Sequence, residues 1–167
     1  MAIIDESFEL DFAIDTKSQS RKATFWALGD RIACLRDGSS SDDIAMYIWL
    51  RDRLGSVAIG HGVAIPQVVF PMHEKPLLCV TRLNQPVAFG GPMENHQVDL
   101  IFAIAGNPRD QGIMLRLIGR CELMAQNRQV LQTLRKASSQ PEIEHIFARN
   151  NAQLTQYPAA ESRKVRA

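Results

Sequence analysis

The sequence predicts an α/β fold: a mixed central β-sheet with α-helices on both faces. Three observations carry that expectation. Residues 8–14 alternate apolar and polar, the period-two mark of a strand with one buried face. Residues 98–104 are nearly unbroken apolar, as a central strand covered on both sides must be. The remaining apolar residues fall mainly at helical spacing, in two blocks separated by short strands, so that strand, two helices, several strands and three helices follow in order.

Each element has its own local reason. After the first strand, Asp15-Thr16 breaks the alternation, and Phe25, Leu28, Ile32 and Leu35 form one helical stripe over about 20–35. Asp37-Gly38-Ser39-Ser40 is a turn. Ser41, Asp42 and Asp43 then make a helix start, with a capping hydroxyl and acids at the positive end, for a helix over 42–54 that Gly55 stops. Two glycines one residue apart, followed by Val63-Ala64-Ile65 and closed by Pro66, suggest a tight turn feeding a short buried strand. Further strands are expected at 77–83 and 98–104. Asn107-Pro108 ends the second, and helices are expected over 110–125, 128–137 and 141–149, the last with Pro141 in its first turn. Residues 1–150 read as one domain, and 151–167 as a polar, basic and flexible tail ending in Arg163, Lys164 and Arg166.

Composition excludes several classes of function. The 167 residues suffice for one domain with a proper core. With 19 Lys and Arg against 18 Asp and Glu, no field of one sign exists to attract nucleic acid or anionic lipid. No apolar run approaches the roughly 20 residues that span a bilayer. The acidic start, with Asp5, Glu6, Glu9 and Asp11, is wrong for a signal peptide. Cys34, Cys79 and Cys121 are odd in number and widely spaced, so they read as reduced, mostly buried thiols, with neither disulfides nor a metal site. A cytoplasmic protein without cofactor is the expectation. Gly90-Gly91-Pro92 reads as a turn, not a phosphate-gripping loop, since no Lys-Ser/Thr follows.

The run from Leu50 through Arg51 and Asp52 to Gly60-His61-Gly62-Val63-Ala64-Ile65-Pro66-Gln67 resembles the enzyme IIA family of the bacterial sugar phosphotransferase system, in its fructose, mannitol and nitrogen-regulatory class. That family's pattern is Arg-Glu, a short linker, then Gly-Ile-Gly-x-Gly-(Ile/Val)-Ala-Ile-Pro-His. Leu83-Asn84-Gln85-Pro86-Val87-Ala88-Phe89 is similar to the family's Pro-Val-x-Phe strand end, and Val98-Asp99-Leu100-Ile101-Phe102 to its Val-Asp-Leu-Val-Phe strand. The resemblance covers about residues 8–150. It implies the enzyme IIA fructose/mannitol-type fold and a histidine that takes a phosphoryl group from a phosphocarrier protein (HPr-like) and passes it on.

In this chain Gln67 stands where that acceptor histidine belongs. A nucleophile for phosphoryl transfer needs a free nitrogen lone pair, and an amide nitrogen's is delocalised into its carbonyl. The family's second histidine, in a His-Leu pair opening the helix after the central strand, aligns with Met114. Arg51 matches the family arginine near the transferred phosphate, though a solvated helix-end arginine is the alternative. Gly60 and Gly62 either serve backbone geometry alone or approach phosphate. Pro66 and Val68 flank Gln67, and Val68-Val69-Phe70 either forms an exposed apolar patch for a protein contact or, with at least equal weight, packs as a strand. The resemblance thus implies a transfer-deficient regulator that binds a phosphocarrier or a regulated transporter or kinase. The alternative is an active phosphocarrier using another histidine such as His61; His73, His96 and His145 form no catalytic constellation.

Overall fold

A computed structural model describes residues 7–90 and 96–154, with side chains through Asn150. The chain runs β1 (Glu9–Asp15), α1 (Arg21–Leu35), α2 (Ser41–Leu54), β2 (Ala58–Gly60), β3 (Val63–Ala64), β4 (Gln67–Val69), β5 (Leu77–Phe89) and β6 (His96–Gly106). A single 3-10 turn at Pro108–Asp110 then leads into α3 (Gln111–Ala125), α4 (Arg128–Lys136) and α5 (Gln140–Leu154). Most of the basic tail expected over 151–167, and Gly91-Pro92 of the expected turn, lie outside the described residues. Helix α5 does continue past the expected end at 149.

The sheet is mixed, in the order β1-β5-β6-β3-β2, with β4 also paired to β6. β1 runs parallel to β5, β5 antiparallel to β6, β6 parallel to both β3 and β4, and β3 antiparallel to β2. β6 explains its own position. Leu100, Phe102 and Ile104 face one apolar cluster, while Ile101, Ala103 and Ala105 face another, and all six are essentially without solvent contact. Burying such large side chains contributes about 1.5–3 kcal/mol each, so a strand of this composition belongs at the centre. α1 and α2 cover one face through Phe25, Ile32, Ile44 and Ile48. α3, α4 and α5 cover the other through Leu117, Cys121, Leu134 and Phe147.

Local chemistry fixes the helix ends. Ser20 Oγ accepts from Ala23 N at 3.0 Å to start α1, and Asn127 Oδ1 accepts from Gln129 N and Val130 N to start α4. The cap of α2 is Ser40, not Ser41: Ser40 is extended and its hydroxyl accepts from Asp43 N, which leaves Ser41 inside the helix. Gly55 does end α2, in an extended conformation. Beyond it, the buried Asp52 carboxylate accepts from Val57 N at 3.1 Å and pairs with Arg21 at 3.0 Å, tying α2 and the chain leaving it to α1.

Three departures from expectation have physical causes. β5 extends to Phe89 because its ladder with β6 shifts register between Arg82 and Val87, letting Asn84, Gln85 and Pro86 bulge into solvent. Periodicity does not mark β4 as a strand, yet its three residues pair beside the C-terminal end of β6. Cys34 is exposed, whereas Cys79 and Cys121 are buried as expected. Burial pushes both of those thiols up to about 12.

The free side of β1 is closed by a side chain. Odd-numbered residues of β1 bond toward β5, beginning with Glu9 N to Pro76 O, so Leu10 and Phe12 present their backbone outward. Gln140, at the start of α5, accepts from Phe12 N at 2.9 Å and donates to the Leu10 carbonyl.

Candidate functional site

The motif residues reach their places through a turn that only unusual backbone can make. Gly60, His61 and Gly62 have φ of 96, 57 and 78°. β3 then enters the sheet with Val63 opposite Leu100. Pro66 has no N–H, but its carbonyl accepts from Ile104 N at 2.9 Å, so the chain keeps its register on β6 without a donor there. Gln67 follows, opposite Ile104 at the C-terminal end of the central strand.

Alternation along β4 settles which neighbours Gln67 has. Val68 points into the cluster under α1 and α2 and is 3% exposed, and Phe70 is also buried. Of the two readings of Val68-Val69-Phe70, the exposed patch is corrected and the packed strand holds: only Val69, at 44%, meets solvent. Pro66 is buried as well. Gln67 and Val69 point the other way, toward the α3 face, and Gln67 is half-buried.

Gln67 lines a cleft of about 150 Å³ together with Arg51, Ser56, Ile59, Ile118 and Glu122. Arg51 is exposed at the end of α2, with Nη1 3.4 Å from the Gly55 carbonyl. The two positions matched by the motif thus open on one concavity. Met114 is buried in the first turn of α3, and its thioether lies over Gly106, where a β-carbon would stand 2.4 Å from the sulfur. Met114 fills the space beside the strand end with apolar packing and offers no nitrogen. Glu122 and Ile118 were not anticipated. They sit on α3 four residues apart, a spacing visible in the sequence, but nothing there indicates that this face looks onto Gln67.

His61 opens on a different cleft. Its exposed imidazole borders about 430 Å³ of space shared with Arg128 and Arg135. Gly62 O accepts from Asp99 N, whereas Gln67 lies opposite Ile104; the five intervening steps of β6 amount to roughly 16 Å. His96 starts β6 at the far end from Gln67, His73 is exposed in the loop before β5, and His145 is exposed on α5. No imidazole lines the Gln67 cleft. Among the described residues no three His, Cys, Asp or Glu side chains gather where a metal ion would be held, and no helix is long and apolar enough to cross a membrane.

Chemically, the cleft presents an amide, a guanidinium, a hydroxyl and a carboxylate on apolar walls. It can donate and accept hydrogen bonds and bind charge. It contains no neutral nitrogen nucleophile.

Comparison with known proteins agrees with this fold. A nitrogen regulatory protein of Bradyrhizobium diazoefficiens is 26% identical over 132 residues, which span 79% of this chain and 85% of that protein. The crystal structure of nitrogen regulatory protein IIA-Ntr from Neisseria meningitidis superposes with a TM-score of 0.74 at 24% identity, over 85% of this chain and 97% of that one. Enzyme IIA mannitol of Escherichia coli, solved in complex with phosphorylated enzyme IIB mannitol, superposes with a TM-score of 0.66 at 14% identity, over 84% and 98%. The family model for the phosphoenolpyruvate-dependent sugar phosphotransferase system, EIIA 2, matches residues 10–150. With a mixed sheet in that fold and most of its length matched, the chain belongs to the EIIA 2 family of the phosphoenolpyruvate-dependent sugar phosphotransferase system.

Proposed function

We propose that this protein is a regulatory member of its family that carries no phosphate and acts by binding other proteins through the face around Gln67. The observation that carries this reading is the content of the cleft: Gln67, Arg51 and Glu122 line it together, and among the described residues no imidazole does. A glutamine amide is roughly the size of an uncharged imidazole but cannot form a phosphoramidate. The surface is thereby held in the form it would have before phosphorylation, without the charge of nearly −2 that a phosphoryl group adds. Met114, buried over Gly106, supports the same reading at the second histidine position.

Glu122 adds an electrostatic argument. A transferring site needs positive groups aimed at the charge on the phosphoryl oxygens. A carboxylate on the same wall opposes Arg51 in that role. Exposed Ile59 and Val69 near the cleft suit a protein contact. The nitrogen regulatory name of the Bradyrhizobium relative and the phosphorylated IIB bound to the mannitol relative support a protein partner, whether a phosphocarrier or a regulated transporter or kinase. The family match over 10–150 supports residues 1–150 as the working unit.

The test is intact-mass analysis of the full chain incubated with phosphoenolpyruvate, enzyme I and the phosphocarrier. The native chain is expected to stay unmodified. One acid-labile phosphate on the native chain would overturn the proposal.

A further inference from the structure

The Gly60-His61-Gly62 turn does more than reverse the chain. Among the described residues His61 is the one non-glycine with a positive φ. An L-residue held there costs on the order of 1 kcal/mol, which a third glycine would avoid. The strain is held in place by Arg135. Its Nη2 donates to the His61 carbonyl at 2.6 Å, and its Nε donates to Asp99 Oδ2 at 2.9 Å. Gly62 lies so close beneath this clamp that a β-carbon there would stand 2.6 Å from Arg135 Nη2 and 2.7 Å from Asp99 Oδ1. The result is a fixed backbone turn that places His61 at the border of a second cleft.

That cleft has a definite chemical character. Arg128 and Arg135 stand with His61 around it, Gln132 adds an amide, and the buried Ala125 and Leu131 form an apolar floor. Asp99 neutralises Arg135, so the charge left over is that of Arg128. Among the described residues no carboxylate lines this cleft, in contrast to Glu122 in the Gln67 cleft. A guanidinium and an amide from one face of α4, Arg128 and Gln132, with His61 from the β2–β3 turn, supply donor groups of the kind that suit the tetrahedral oxygens of a phosphate. The volume of about 430 Å³ is far more than inorganic phosphate fills and lies in the range of small-molecule sites. The apolar floor provides a seat for a carbon body.

We propose that the cleft bounded by His61, Arg128 and Arg135 binds a small organic phosphate monoester non-covalently, at a site separate from the Gln67 cleft. Its phosphate lies between Arg128 and His61, and its carbon portion lies on Ala125 and Leu131. This site does not depend on whether Gln67 blocks phosphoryl transfer. A binding molecule of the kind proposed above would thereby sense a phosphorylated metabolite on one side and meet a protein on the other.

The experiment is calorimetric titration of the full chain with glycerol 3-phosphate and with phenyl phosphate, with inorganic phosphate and sulfate as controls. Saturable one-to-one binding of at least one ester is expected, at least tenfold tighter than either inorganic anion. Arg128→Ala and His61→Asn should each weaken it about tenfold or more; asparagine tolerates the left-handed backbone, so the turn survives. Arg51→Ala should leave it unchanged, and melting curves of all three variants check that they fold. No saturable binding of either ester, equal binding of sulfate, or a loss with Arg51→Ala but not with Arg128→Ala would each overturn the proposal.

Discussion

Gly60 and Gly62 share a positive φ, but their surroundings differ. A β-carbon at residue 60 would meet nothing within 4 Å, while at 62 it would strike the Arg135–Asp99 pair. Gly60→Ala should therefore lose only the backbone term, about 1 kcal/mol, and Gly62→Ala about 2–3 kcal/mol, as measured by urea denaturation. The cysteines allow a second check at this scale. A maleimide at pH 7.5 should label the exposed Cys34 quickly in the native protein, and Cys79 and Cys121 only after denaturation, because burial holds their thiols near 12. Mass spectrometry of the labelled peptides reads this directly. The sequence could not separate Cys34 from the other two: all three lie in segments with apolar neighbours, and its exposure depends on which side of α1 meets the sheet. Gln67 and Arg51 were legible for the opposite reason, since both sit in one linear motif. Glu122 joins them only through folding.

Between elements, the junction of β1 and α1 carries a pH dependence. Burial pushes the Asp15 carboxyl up, but the Ser18 hydroxyl and the backbone N–H groups of Lys17 and Ser18 outweigh it and hold the group below its ordinary value of 3.8. A carboxyl lowered in the folded state contributes stability above its unfolded value and loses it as pH falls through the lower folded value. Asp15→Asn should therefore lower stability at neutral pH and flatten the decline below about pH 4, read from thermal melts across pH 2–7. Most elements were legible here because their signals are local: Phe25, Leu28 and Ile32 give a stripe, and Gly55 gives a helix stop. β4 and the outer half of β5 were not legible from periodicity, and the strand end at Pro86-Val87-Ala88-Phe89 was readable only through the family resemblance. Three residues after a proline carry too little periodicity, and the bulge at Asn84-Gln85-Pro86 interrupts alternation that only pairing with β6 restores.

For the molecule as a whole, the proposed loss of phosphoryl transfer raises the question of its cause. If the loss rests on Gln67 alone, Gln67→His should acquire phosphate from the phosphocarrier at a rate that removing the Glu122 charge does not change. The cleft argues otherwise, because Glu122 opposes a doubly charged group arriving beside Arg51. Phosphorylation of Gln67→His should be slow, and adding Glu122→Gln should raise its rate about tenfold, the equivalent of about 1.4 kcal/mol, followed by intact mass over time. The mixed sheet with helices on both faces was readable from the order of the segments. The division of the motif between two clefts was not, because the strand register that separates His61 from Gln67 is set by β6, which pairs Val63 with Leu100 and Gln67 with Ile104, far downstream in the chain.

The amide of Gln140 against β1 has a consequence for association. A primary amide offers a donor and an acceptor spaced much as a peptide group spaces them, so Phe12 and Leu10 are already bonded as an incoming peptide would bond them. A chain seeking to add itself there must first pull α5 away. The opposite border is formed by β2 and β4, each only three residues long. Growth by strand addition, the route to fibrous aggregates and to peptide capture by sheet extension, is blocked on one border and offered a very short template on the other.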